Sequence, residues 1–162
     1  MFREMRRKRQ QLTEAECIKI LKKNTSGVLA VLGDDGYPYA VPLSYVYDNG
    51  SVYFHCAKNG HKHDAIKTCD KVSFCVIDQD LVVPQEYTTY FRSVILFGRA
   101  SFLVDEDEIR SSIEKLAIKY HPDDNKDNRD SAIEKEYKAL CMVIIQIEHM
   151  SGKQAIELTN AH

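Results

Sequence analysis

Apolar and polar positions along the chain change period several times, and each change marks an element. Thr13-Glu14-Ala15-Glu16 is a capping box followed by Cys17, Ile18 and Leu21 at helical spacing, which predicts a helix over about 13–24. The apolar run Gly27–Gly33 reads as a strand closed by the turn signal Asp34-Asp35-Gly36. A second strand runs from about Tyr37 to Tyr47, Asp48-Asn49-Gly50 turns the chain, and Ser51–Cys56 is a third. Three strands joined by two tight turns predict an antiparallel meander. Ala57–Gly60 is then a loop, and residues 61–69 form a short helix with Ala65, Ile66 and Cys69 on one face. Lys71–Ile77 is a fourth strand, followed by a loop over 78–86 around Pro84. Thr88–Val104 is β-rich throughout; at ~3.3 Å per residue it would span roughly 55 Å, so a bend or bulge is predicted at Gly98. A helix over 106–120 carries Ile109, Ile113, Leu116 and Ala117, and residues 121–130 are polar and turn-rich. Ser131-x-x-Glu134 opens a helix to about 140, and Cys141–Ile147 is a last, very apolar strand.

The pattern is mainly β, of the α+β kind: about six antiparallel strands, strongly bent, with peripheral helices, which together predict a barrel. No βαβ alternation supports a Rossmann fold, and no dinucleotide, P-loop or nucleophile-elbow motif occurs. The 162 residues fit one domain, 1–162, with an N-terminal arm at 1–12 and a C-terminal tail at 151–162. A net charge of -2 lacks the basic excess of a nucleic-acid binder. The local exception, Arg3, Arg6, Arg7, Lys8 and Arg9, is either a solvated arm or a contact to a partner subunit or anion. The five cysteines form no C-x-x-C pair and no signal peptide is seen, so the thiols are read as reduced, in a cytoplasm. No apolar run approaches the ~20 residues of a membrane span. No metal site is expected, since His61 and His63, two positions apart, point in different directions on a helix.

The segment Tyr53 to Asp64 is the richest in chemistry: a strand, a glycine-containing loop and a helix start. A helix N-terminus offers unpaired N–H groups and partial positive charge. Lys58, His61, Lys62 and His63 crowd that point and oppose the helix dipole, a conflict that a bound phosphate relieves and a solvated polar turn tolerates; both readings stand on the residues alone. His55 ends the strand and is either a packed residue or a hydrogen-bonding partner of a ligand ring. Pro42 cannot donate to a ladder, so its strand is an edge or is interrupted, and the spare amides match the donor and acceptor edge of a flavin as well as they match solvent. Arg92, Val94 and Leu96 share one face of their strand, Ser93, Ile95 and Phe97 the other. Arg92 there is an interface or ligand contact, or a surface ion pair. Cys56 beside His55 is no catalytic pair, because adjacent strand residues face opposite ways.

Taken in order, Val41-Pro42-Leu43-Ser44-Tyr45, Val52-Tyr53-Phe54-His55, Gly60-His61-Lys62, Tyr90 through Gly98, and Ser151-Gly152-Lys153 resemble the pyridoxamine-phosphate-oxidase-like FMN-binding split barrels, above all their nitroimidazole-resistance (Nim) reductase branch. The resemblance covers about residues 4–155. It implies a six-stranded antiparallel split β-barrel, an intimate homodimer and two FMN sites at the subunit interface. By position, Val41, Pro42, Leu43, Ser44 and Tyr45 would line the flavin ring. Gly60, His61 and Lys62 would hold its phosphate, with Cys56, Ala57 and Lys58 leading into that turn. His55 matches the histidine that Nim proteins place beside the flavin and is the candidate catalytic group. Tyr90, Arg92 and Ser93 would build the ring pocket or the interface. The implied activity is transfer of electrons from a nicotinamide nucleotide to a small electron-poor acceptor; the alternative is a flavin or haem carrier on the same fold. The chain departs from the family in placing His61 first in the phosphate turn, in having Ile156 where an aromatic residue can follow, and in lacking the C-terminal arginine-containing segment of true pyridoxamine phosphate oxidases. Vitamin B6 oxidation is therefore disfavoured.

Overall fold

A computed structural model describes residues 1–160 of the chain, so Ala161 and His162 at the end of the expected tail lie outside the described residues. Seven strands form a single antiparallel sheet: β1 (Ser26–Leu32), β2 (Pro38–Ser44), β3 (Val46–Asp48), β4 (Ser51–Ala57), β5 (Lys71–Val83), β6 (Thr88–Phe102) and β7 (Leu140–Gln154). Their spatial order is β2-β1-β5-β6-β7-β4-β3. Helices α1 (Glu14–Lys23), α2 (His61–Thr68), α3 (Glu106–Tyr120) and α4 (Lys126–Glu136) lie around it.

Both hairpins of the expected meander form, β1 with β2 and β3 with β4, and β4 pairs on its other side with β7, from Ser51 opposite Gln146 to Ala57 opposite Leu140. The strand expected over 37–47 is split at Tyr45, and its halves become the two edges of the sheet. Because one residue joins those edges, the sheet must curl until they meet, a barrel left unclosed by hydrogen bonds. Tyr45 is fully buried there, its hydroxyl donating to the Leu21 carbonyl (2.8 Å) and its ring set edge-on to Phe74 (5.1 Å). Lys119 Nζ lies 4.2 Å from the same ring and also donates to Leu21 (3.3 Å). Leu21 carries one of the last carbonyls of α1, which has no partner within its own helix, so these two donors close that helix end. Burial pushes the Lys119 ammonium down to about 8.

The strands run longer than the sequence pattern predicts. β5 continues to Val83 through most of the expected loop over 78–86, with Asp78 bulged out of the ladder between Ile77 and Gln79. β7 extends past Ile147 to Gln154 and takes in Ser151, Gly152 and Lys153. The predicted irregularity at Gly98 is present as a register shift against β7 between Phe97 and Gly98. α1 starts from the full Thr13–Glu16 capping box and buries Cys17, Ile20 and Leu21 in the barrel core. The second box was misplaced: α4 begins at Lys126, capped by Asn125, whose side chain accepts from the Asn128 N–H (2.9 Å), and Ser131 lies inside the helix. α3 and α4 form a satellite cluster of Ile113, Ile133 and Met142 against β4 and β7. No helix among the described residues is long and apolar enough to cross a membrane.

Candidate functional site

The chain leaves β4 at Ala57, passes Lys58 and Asn59, and turns at Gly60 with φ of 107°, a backbone conformation that side-chain-bearing residues rarely adopt. α2 begins immediately. Thr13, Asp105 and Asn125 cap the other three helices, whereas no side chain caps α2. Its first N–H groups therefore point out beside His61 and Lys62 with nothing from the chain's own caps to receive them.

The preceding hairpin fixes His61. Its imidazole stacks on Tyr39 of β2 (4.2 Å between centroids, 25° between planes), and Nε2 accepts from the Asp34 N–H (3.3 Å). That acceptor role leaves Nδ1 as the ring's donor. Gly33 makes the approach possible: a Cβ there would lie 2.9 Å from His61 Nε2. Lys62 crosses the Phe54 ring with Nζ 5.9 Å from its centroid. His63 turns inward against Phe102 (4.6 Å) and is buried, so it does not join the group. His55 is exposed on β4, opposite Met142 of β7. Partial desolvation, then the Lys62 ammonium, hold its imidazole pKa below the ordinary value, against the pull of Glu136. Gly60, His61 and Lys62 thus form one group at the start of α2, and the Lys62 charge reaches His55. Tyr39, Gly33 and the Asp34 N–H belong to it and were missed, since only the turn into β2 brings them to α2.

β2 is an edge strand, as Pro42 predicted, and one side of its backbone is unpaired in the sheet. Val41 and Leu43 are half-buried against the core while Pro42 is exposed on the other face. From Tyr39 to Ser44 the strand covers ~16 Å, leading away from the His61 stack. The Tyr45 ring and hydroxyl are committed to the core. Cys56 points inward and its Sγ lies 3.4 Å from Cys141 Sγ; Ala57 and Lys58 are exposed.

The remaining candidates lie elsewhere. β6 is three strand spacings from β2, ~14 Å across the sheet. Tyr90 donates to Glu86 (2.8 Å). Arg92 turns into the barrel mouth, where Nη1 donates to Asp78 (3.3 Å) and Nε to Gln154 (3.2 Å). Ser93 sits on the outer face with Ile95 and Phe97. The bulge re-aims Asp78, whose side chain is 3% exposed, to accept also from Lys23 and Asn24, both at 2.9 Å. Burial alone would raise this carboxyl, but the hydrogen bonds from Asn24, Lys23 and Arg92 and the Lys23 charge hold it below its ordinary value. A folded value below the unfolded one contributes stability that is complete above the ordinary aspartate range and is lost as pH falls from there through the lowered folded value. Asp78→Asn is expected to cost ~1.5–3 kcal/mol at neutral pH, and urea melts should show that cost shrinking below pH ~4. An equal cost at pH 3 and pH 7 would refute the charge assignment. Among the described residues no group of three or more His, Cys, Asp and Glu could hold a metal ion.

A family model described as Pyridoxamine 5'-phosphate oxidase matches residues 13–154. Comparison with curated proteins finds no match. Among solved structures, the chain is similar to a FAD-binding protein from Mesorhizobium loti at 26% identity, with 90% of this chain and 97% of that one covered and a TM-score of 0.62. It is also similar to a candidate 5-nitroimidazole antibiotic resistance protein from Bacteroides thetaiotaomicron: 18% identity, 89% and 86% covered, TM-score 0.73. A flavocytochrome from Azotobacter vinelandii shares 20% identity over 94% of this chain and 72% of that one, with a TM-score of 0.74.

Proposed function

The chain belongs to the pyridoxamine 5'-phosphate oxidase family, and from that premise we propose that it is an FMN-dependent oxidoreductase that passes electrons from a nicotinamide nucleotide to a small, flat, electron-poor acceptor such as a nitroheterocycle. The observation that carries the reading is the uncapped start of α2, where free N–H groups, His61 and Lys62 meet beside His55. Those donors fit a phosphate. The unpaired edge of β2 runs from the His61 stack toward Pro42 and Ser44 and fits the ring's donors and acceptors. A flavin bound there supplies the electron transfer; the protein's part is to grip the phosphate, orient the ring and present His55 to the acceptor. The lowered pKa of His55 favours its neutral imidazole, which offers one donor and one acceptor rather than a fixed charge.

The same reading makes the protein a homodimer in the cytoplasm. What supports the dimer is an exposed apolar band on the outer face of β5 and β6, Ile77, Ile95 and Phe97 at 58%, 42% and 40% exposure, with Phe2 of the arm stacked on Phe97 (5.5 Å) and His149 (4.7 Å). Ser93 lies on that face, and only a second copy would bring it to a β2 edge three strands away in its own chain. Sedimentation velocity should give twice the chain mass; a monomer at micromolar concentration would remove Ser93 from the site.

Anaerobic stopped-flow tests the activity. NADH or NADPH should bleach bound FMN and a nitroheterocycle should restore its colour; if neither step occurs, the oxidoreductase reading fails. A Soret band in the purified protein would instead favour the carrier, with exposed His55 as the candidate iron ligand. His55→Ala should leave FMN bound and slow reoxidation at least ~10-fold, the lower end of a lost proton donor or acceptor. Its lowered pKa sets the sign of the pH dependence: the neutral imidazole persists to more acid pH than a free histidine, so reoxidation should hold steady above pH ~6.5 and fall only below it. Wild-type kinetics in the variant, or an acid limb that survives the substitution, would end this role.

A further inference from the structure

Two of the five cysteines touch. Cys56 and Cys141 are direct partners in the β4–β7 ladder, and their sulfurs stand 3.4 Å apart. No other pair among the described residues is in such contact: Cys17 is buried in α1, Cys69 ends α2 and Cys75 lies on β5. Directly opposed antiparallel residues have Cα atoms ~4.5–5.5 Å apart, inside the span a disulfide bridges. The sulfurs need to close by only ~1.4 Å to reach bonding distance. The pair is next to last in the ladder, one step from Ala57 and Leu140, where the strand ends give most easily.

The two sulfurs are not equivalent. Cys141 is partly exposed where α4 gives way to β7, and its thiol also lies near the carbonyls of Cys56 (3.5 Å) and Ala57 (3.6 Å). Cys56 is buried, and its burial, then its contact with Cys141, push its thiol up to about 12.

We propose that Cys56 and Cys141 form a peroxide-oxidisable dithiol site, in which a hydroperoxide enters at Cys141 and Cys56 resolves it to a cross-strand disulfide. In the first step the Cys141 sulfur attacks the peroxide: an S–O bond forms, the O–O bond breaks, and an alcohol or water leaves with a proton, so that sulfur is oxidised and peroxide reduced. In the second the Cys56 sulfur attacks the sulfenic acid: an S–S bond forms, the S–O bond breaks, and the hydroxyl departs with the Cys56 proton as water. The bond closes a loop spanning 85 positions and ties the end of β4 to β7 just before the Gly60 turn. Where the flavin reading also holds, the disulfide stiffens the strand that presents His55 and the phosphate turn.

The test uses the full chain and needs no flavin titration, so its failure leaves the flavin reading standing. One equivalent of hydrogen peroxide should remove two hydrogen masses from the protein, lower the free thiols in denaturant from five to three, and yield a Cys56–Cys141 linked peptide. Thiol reductant should reverse all three, and Cys141→Ser should abolish the link while Cys75→Ser keeps it. Should the serine variant misfold, peptide mapping of the wild type decides alone. A Cys141 that stops at sulfinic acid, five thiols after treatment, or a link formed only in denaturant would overturn the proposal.

Discussion

Lys62→Ala is expected to weaken FMN binding by ~1.5–3 kcal/mol, a rise in dissociation constant of roughly 10- to 150-fold. The magnitude follows from where the ammonium sits. Lys62 is the second residue of a helix that no side chain caps, next to His61, and its stem crosses Phe54. The Lys62 ammonium at that end works against the helix dipole unless an anion is present. Removing it therefore costs a charge-assisted contact in the complex and relieves repulsion in the free protein, and both effects lower affinity. Lys62 is only partly buried, so the fold should survive the change. Titration by flavin fluorescence quenching gives the constant directly. Raising the salt concentration should weaken the wild type more than the variant, because one screened attraction has already gone. A variant that binds FMN as tightly as the parent removes Lys62 from the phosphate grip.

Tyr45→Ala should destabilise the protein by ~3–5 kcal/mol, in the range of a large buried aromatic cut to alanine. Tyr45 holds the point where the sheet edges meet, packs on Phe74 and closes the end of α1 through Leu21. Tyr45→Phe keeps the packing and loses the hydroxyl; because Lys119 still donates to Leu21, its cost should be nearer ~1 kcal/mol. Urea denaturation of both variants separates packing from hydrogen bonding. A Tyr45→Ala protein of ordinary stability that no longer binds flavin would mean that the ring serves a ligand and not the core.

The local signals of this chain were legible because they are local. The Thr13–Glu16 capping box, the turns at 34–36 and 48–50, the span of α3 and the irregularity at Gly98 all depend on residues within a few positions of one another. So do the turn–α2 group of Gly60, His61 and Lys62, and the edge character that Pro42 imposes on β2.

Partners distant along the chain were decided only by the tertiary structure. Periodicity places Tyr45 in a continuous strand; the chain instead breaks there, where its ring is buried against Phe74 and its hydroxyl donates to Leu21 of α1. Asp78 falls in the stretch that reads as a loop around Pro84, yet Lys23, Asn24 and Arg92 converge on it and the strand runs on to Val83. Arg92 spends its charge on that cluster, and His61 rests on Tyr39 and the Asp34 N–H. A sequence specifies side-chain chemistry and short-range geometry, while desolvation and charge neutralisation depend on which strands finally lie side by side.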